Sequence, residues 1–170
     1  FFDGALAPAD HVVGAPGDGW KVAMGTLAFE RGASTLGQQL GFTREFAEAL
    51  TDARRRRTLD DPRVRQRYAA MWARLEIMRW NALRMLTTAH DPALSGPAFI
   101  HKLVHRDLGE LALDTLGADA MLTVGQPNEH DDGLTPAARR FLFTRADTIY
   151  GGSDEIQRNV IGERALGLPR

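Results

Sequence analysis

The chain has 170 residues, 44% of them apolar and 25% charged, with 21 basic side chains against 22 acidic ones and no cysteine. That length holds one compact domain with a sizeable core. Its near-neutral charge excludes a globally basic nucleic-acid binder, and the missing cysteines exclude a disulfide framework, a thiol nucleophile and a cysteine-rich zinc site.

Residues 1–19 contain Phe1, Phe2, Val12 and Val13 broken by Pro8, Pro16 and several glycines, a pattern of short extended pieces and turns. They are expected to be the end of a preceding β-domain and its linker, with the helical domain running from 20 to 170. From Asp18, a possible N-cap, Trp20, Ala23, Met24, Leu27, Leu36, Leu40, Phe46 and Leu50 recur at helical steps to about Arg55. A second helix starts at Asp60-Asp61-Pro62, an acid-then-proline opening, and carries the stripe Tyr68, Met71, Leu75, Met78, Ala82 and Met85. A third begins near Gly96-Pro97, places Ile100, Leu103, Val104, Leu108, Leu111 and Thr115 on one face, and stops near Gly117. Residues 123–134 read as a loop. The last helical segment opens at Thr135-Pro136, breaks at Gly151-Gly152, and resumes from Ser153 or Asp154 to about Leu166. Four amphipathic helices without strand alternation predict an all-α, up-and-down four-helix bundle. No apolar run approaches the roughly 20 residues that span a bilayer, and FFDGALAPAD has no secretory h-region, so a cytoplasmic protein that binds neither nucleic acid nor membrane is expected.

The run Ile149-Tyr150-Gly151-Gly152-Ser153-Asp154-Glu155-Ile156-Gln157-Arg158-Asn159, with Ile161-Gly162-Glu163-Arg164 and Leu166-Gly167-Leu168-Pro169 behind it, resembles the C-terminal signature of acyl-CoA dehydrogenases. Upstream, Phe2-Asp3, Pro8, Gly14, Gly17 and Gly19-Trp20-Lys21-Val22-Ala23 are similar to that family's passage from its middle β-domain into the C-terminal helices. The resemblance implies FAD as cofactor, an acyl-CoA substrate, and an electron acceptor such as an electron-transfer flavoprotein. It also implies assembly as a homo-oligomer or as a hetero-oligomer with a related subunit. The implied reaction removes an α-proton from the thioester and passes the β-hydrogen as hydride to flavin N5, leaving a trans-2-enoyl-CoA. Without the family's other domains, the isolated chain is expected to be inactive.

In many family members the basic glutamate follows the Ile-Tyr pair, where this chain has Gly151. A subset resembling the isovaleryl and long-chain enzymes carries it on the first helix before an arginine, and the matching residues here are Glu30 and Arg31, so Glu30 is the candidate base. Burial beside an apolar acyl chain would raise a glutamate from about 4.3 toward working pH. By itself, Glu30 also reads as a solvated helix glutamate paired with an arginine. By resemblance, Tyr150 lines the substrate cavity and the Gly151 N–H faces the thioester carbonyl, together with a ribityl hydroxyl of the flavin. Ser153 and Glu155 match positions that contact the adenosine half of the flavin, although Ser153 also reads as an N-cap. Arg56, with Thr58, falls near the position that reaches a neighbouring subunit's flavin pyrophosphate, and Gly117 falls in the turn that approaches that flavin. Asp114 stands where many members have glutamine.

Other constellations read more plainly. His101 and His105 are four apart on a helix without a third ligand at metal spacing, which favours a surface or partly buried pair. Trp72 and Trp80 with Met71, Met78 and Met85 read as core or oligomer contact rather than a cofactor box. A second function stays open: a non-catalytic partner subunit or helical assembly module that lost its chemistry with the base at position 151.

Overall fold

In the computed structural model, residues 1–87, 97–125, 133–150 and 153–169 are described. The fold is all-α. Helix α1 runs Gly19–Arg55, α2 Pro62–Thr87, α3 Pro97–Leu116, α4 Pro136–Asp147, and the short α5 Asp154–Val160 continues into a π-helical turn at Ile161–Ala165. Among the described residues the sheet content is one isolated antiparallel bridge, Thr123 with Leu134. Residues before α1 hold only a 3₁₀ turn at Ala9–His11.

The helix boundaries follow local chemistry. Proline opens α2, α3 and α4, where its missing N–H costs nothing. The Thr135 hydroxyl accepts the Ala138 N–H at 3.1 Å and caps α4. Asp18 does not cap α1 as expected. Its carboxylate accepts the Ala15 N–H at 3.2 Å and closes the preceding turn instead. After α3, Gly117 adopts a left-handed φ of 57° that ends the helix. After α1, Arg57 takes that conformation at 59° without being glycine, a strain of about 1–2 kcal/mol that the tight turn into α2 imposes.

Direction and register are written in ion pairs. Arg67 and Arg74 of α2 reach Asp114 and Asp107 of α3, each at 2.6 Å, so residues seven apart on one helix meet residues seven apart, in reverse order, on the other. The α2–α3 pair is therefore antiparallel. On the other side of α3, Arg145 of α4 binds Glu110 at 2.6 Å and the Arg106 carbonyl at 3.1 Å. There a Cβ on Gly109 would stand 2.8 Å from Thr144 Oγ1 and 3.3 Å from the Phe141 backbone. Glycine at 109 is what lets α3 and α4 approach so closely.

The core joins Phe46, Ala49 and Ala53 of α1, Tyr68, Met71 and Leu75 of α2, and Val104, Leu108, Leu111 and Ala112 of α3. Tyr68 is held inside by its hydroxyl, 3.0 Å from the Ala49 carbonyl and 2.7 Å from Thr115 Oγ1, and burial pushes its pKa up. The second-helix stripe is buried as expected at Tyr68, Met71, Leu75, Met78 and Ala82, with the Met85 side chain outside those described. Trp72 and Trp80, in contrast, face outward at 57% and 63% exposure and are no part of this chain's core.

Candidate functional site

The most concentrated chemistry lies where α1, α3 and the end of α4 meet. His105 of α3 is buried, its ring stacked on Phe42 at 4.0 Å between centroids, with Phe143 edge-on at 6.4 Å. Its Nδ1 lies 2.5 Å from Asp147 Oδ2 and its Nε2 lies 3.0 Å from Glu45 Oε2. A neutral imidazole can donate from one nitrogen only, so two carboxylates on opposite edges call for the doubly protonated ring. Burial alone would lower the pKa of His105, but hydrogen bonds and charge from Asp147 and Glu45 outweigh it and raise the pKa above its ordinary value.

Around this ring the network widens in two directions. Arg140 of α4 donates to Glu45 at 3.0 Å and to Glu48 at 3.2 Å, which ties α4 to α1. The other Asp147 oxygen, Oδ1, accepts the Tyr150 hydroxyl. Burial, then that carboxylate, push the Tyr150 phenol up to about 12. The signature tyrosine, just past α4, is thus anchored through Asp147 to a buried histidine on the preceding helix, α3.

The residues expected to carry function fall in three places. Glu30 and Arg31 belong to α1 by their backbone, and their side chains lie outside those described; Gly151 also lies outside the described residues. Arg56, Thr58 and the Gly117 turn are near-neighbours at one end of the bundle, where Arg56 binds Asp119 of that turn at 2.6 Å and the Thr58 hydroxyl donates to the Ala53 carbonyl at 3.3 Å. Ser153 and Glu155 form the third group, at the start of α5. The exposed Glu155 carboxylate accepts its own backbone N–H and the Ser153 hydroxyl, which lower its pKa. Asp114, read at a family glutamine position, is the partner of Arg67.

These residues fit the edge of a flavin site in one respect. The Arg56 Nε–H is buried and has no partner among the described residues, and a buried guanidinium N–H facing no acceptor suits an anionic ligand oxygen. Asp119 holds the same guanidinium through Nη1.

Sequence reasoning missed Glu45, Arg140 and Asp147, and it read His105 as half of a surface or partly buried pair. A signal was present: His105 flanks the buried stripe of Val104 and Leu108, so it had to meet partners inside the protein. Its partners are 42 and 60 residues away, beyond any local pattern.

The described residues form a helical bundle with the signature tyrosine just past α4, tied through Asp147 to a buried histidine of α3. Residues 17–166 match the family model for the acyl-CoA dehydrogenase C-terminal domain. The chain belongs to the acyl-CoA dehydrogenase family. It is 51% identical over its whole length to acyl-CoA dehydrogenase IpdE1 of Mycobacterium tuberculosis and 49% identical to IpdE1 of Mycolicibacterium smegmatis, spanning 43% and 42% of those proteins. The chain thus spans less than half the length of these curated relatives. Among solved structures it resembles the Tcur3481-Tcur3483 steroid ACAD, with a TM-score of 0.79 at 25% identity over 100% of this chain and 45% of that one. It also resembles the ChsE4-ChsE5 complex from Mycobacterium tuberculosis, with a TM-score of 0.71 at 25% identity over 96% of this chain and 44% of that one.

Proposed function

We propose that this chain is the C-terminal domain of an FAD-dependent enzyme that dehydrogenates an acyl-CoA thioester to the trans-2-enoyl-CoA, with residues 1–19 as the passage from a preceding β-domain. The observation that carries the reading is the family match across 17–166 together with the signature at Ile149–Asn159. The chemistry supplied by bound FAD is acceptance of the β-hydrogen as hydride at N5. This chain's own residues bind, orient and take the α-proton. Glu30 is the base, with Arg31 beside it. The Gly151 N–H meets the thioester carbonyl, where a hydrogen bond strengthens as negative charge develops on oxygen, and Tyr150 lines the cavity. Arg56, Thr58 and Gly117 approach the flavin of a neighbouring subunit, and Ser153 and Glu155 approach its adenosine half.

The steroid substrate and the two-component make-up of the solved relatives extend to this chain as further parts of the reading. The thioester carries a bulky polycyclic acyl group, the assembly pairs this subunit with a related one, and electrons leave through an acceptor such as an electron-transfer flavoprotein. No helix among the described residues is long and apolar enough to cross a membrane.

The test is bleaching of flavin absorbance by acyl-CoA in the full-length protein. Glu30→Gln should keep the flavin and lose about 10²- to 10⁴-fold in turnover, the span of a general base. Normal turnover in that variant would remove Glu30 from the role. Gly151, lacking a side chain at the usual base position, also favours a second reading, a non-catalytic partner subunit. In that case the assembly bleaches but Glu30→Gln changes nothing.

A further inference from the structure

Among the described residues, the buried titratable cluster on α3 and α4 is the feature that the proposed chemistry leaves unused. A buried histidine between two carboxylates is a costly arrangement, because each charge must be desolvated before the pairs return anything. Hydrophobic residues would close the same space at less cost. The cluster also does not end inside the core. Its last member, Tyr150, is half-exposed at the place where α4 gives way to the signature.

We propose that His105 is a positioning residue for the acyl-thioester site: as an imidazolium clamped between Glu45 and Asp147, it fixes the carboxylate that receives the Tyr150 hydroxyl and so sets where Tyr150 stands in the substrate cavity. The proposal rests on the reading of Tyr150 as a cavity residue given above. Its geometry is a continuous chain of contacts from α1 through α3 to the end of α4. Glu45 Oε2 takes both His105 Nε2, at 3.0 Å, and Arg140 Nε, at 3.0 Å. Asp147 is divided between His105 on one oxygen and Tyr150 on the other.

The protonation state of His105 decides whether the chain is closed. With both nitrogens protonated, the ring donates to both carboxylates at once. When it loses a proton, one edge turns a lone pair toward a carboxylate oxygen and that contact becomes repulsive. If the Asp147 edge opens, the carboxylate is free to turn and Tyr150 moves with it. If the Glu45 edge opens, Arg140 still holds Glu45 and α4 keeps its tie to α1. The charges acting on the ring come from Glu45 of α1 and Asp147 of α4. Arg140, from α4, stands behind Glu45, and Glu48, from α1, stands behind Arg140. On α3 itself, Arg106 and Asp107 pair with each other at 3.0 Å, and Asp107 also holds Arg74 of α2. The Asp147 edge is the one that reaches Tyr150, and its opening gives a substrate affinity that weakens as pH rises through the raised His105 pKa.

The experiment uses the full-length protein with its flavin and, where present, its partner subunit. Steady-state kinetics and equilibrium binding of a non-reacting acyl-CoA thioether are followed from pH 6 to 9 for the wild type, His105→Gln, Tyr150→Phe and the double variant. The wild type should lose affinity on the alkaline side, with KM rising about tenfold and kcat moving less than threefold, a split that reflects binding rather than chemistry. His105→Gln should show the weak affinity at every pH. Tyr150→Phe, a substitution at a half-exposed position, should remove the alkaline loss even if His105→Gln does not fold. In the double variant the two effects should not add, since they act through one chain of contacts. An alkaline loss retained in Tyr150→Phe, additive effects, or a pH-independent wild-type affinity would each overturn the proposal. Absence of flavin bleaching with thioether binding intact would sink the dehydrogenase reading alone, because binding still reports on His105. Absence of thioether binding would sink both.

Discussion

The two ends of α1 are built to different rules. From Gln39 to Ala53 the helix buries Gln39, Phe46, Ala49 and Ala53 against α2 and α3, whereas near its start Trp20 is 79% exposed and Met24 also faces outward. The same contrast divides α4 from the segment after it: Ala138, Thr144 and Asp147 are buried, while Ile149, Ile156, Leu166 and Leu168 are exposed. A contiguous packed block therefore sits beside amphipathic surfaces whose apolar residues find no cover within the described chain. Apolar surface of that extent is the mark of contact with other protein or a ligand. The block supplies stability; the open surfaces are where substrate, flavin and neighbouring subunit are proposed to meet.

The contrast can be broken or sharpened by substitution. The largest effect on function is expected at the proposed base, where Glu30→Gln should reduce turnover by about 10²- to 10⁴-fold with little change in melting temperature. The largest effect on stability belongs to the block. Leu108→Ala, at a fully buried position, should cost about 2–5 kcal/mol by denaturant unfolding, whereas Leu40→Ala, at an exposed position on α1, should stay within about 0.5 kcal/mol. Equal losses at the two sites would mean that the open surface is already part of a core.

Next is Gly109→Ala. Alanine gains about 1 kcal/mol of helix propensity, but its methyl meets Thr144 Oγ1 at 2.8 Å and the Phe141 backbone at 3.3 Å. Because backbone cannot yield as a side-chain tip can, a net loss of about 1–2 kcal/mol is expected. A neutral result would show that α4 can move away from α3 without penalty.

The smallest effect is the pH dependence of stability. His105 has a raised pKa in the folded protein, so its contribution is fully present below the unfolded value near 6.5 and is lost as pH rises through the folded value. Melting temperature should therefore fall on the alkaline side, and His105→Gln should flatten that fall. A slope unchanged by the substitution would place the titrating group elsewhere.

Much of the fold was legible in the residues. Pro62, Pro97, Pro136 and Gly117 mark helix boundaries because each restricts or frees one backbone position, and that is local physics. The stripe Tyr68, Met71, Leu75, Met78 and Ala82 names its buried face because residues three and four apart share a side of a helix whatever lies opposite. Asp18 shows the limit of such rules: a capping residue in the right place served the turn before the helix instead. Trp72 and Trp80 show another, since an apolar side chain says that it prefers cover without saying which molecule provides it.

The sequence by itself determined the family, through the signature from Ile149 to Asn159, and the all-α class, through spacing. Only the tertiary structure decided which interior polar groups meet. Glu45, His105 and Asp147 sit on three different helices, and nothing in the spacing of each helix records how the others are rotated against it. Packing sets that rotation, through contacts as specific as the Gly109 crossing and the Arg67–Asp114 and Arg74–Asp107 pairs. Once it is set, an unremarkable histidine becomes the buried charge to which the signature tyrosine is tied.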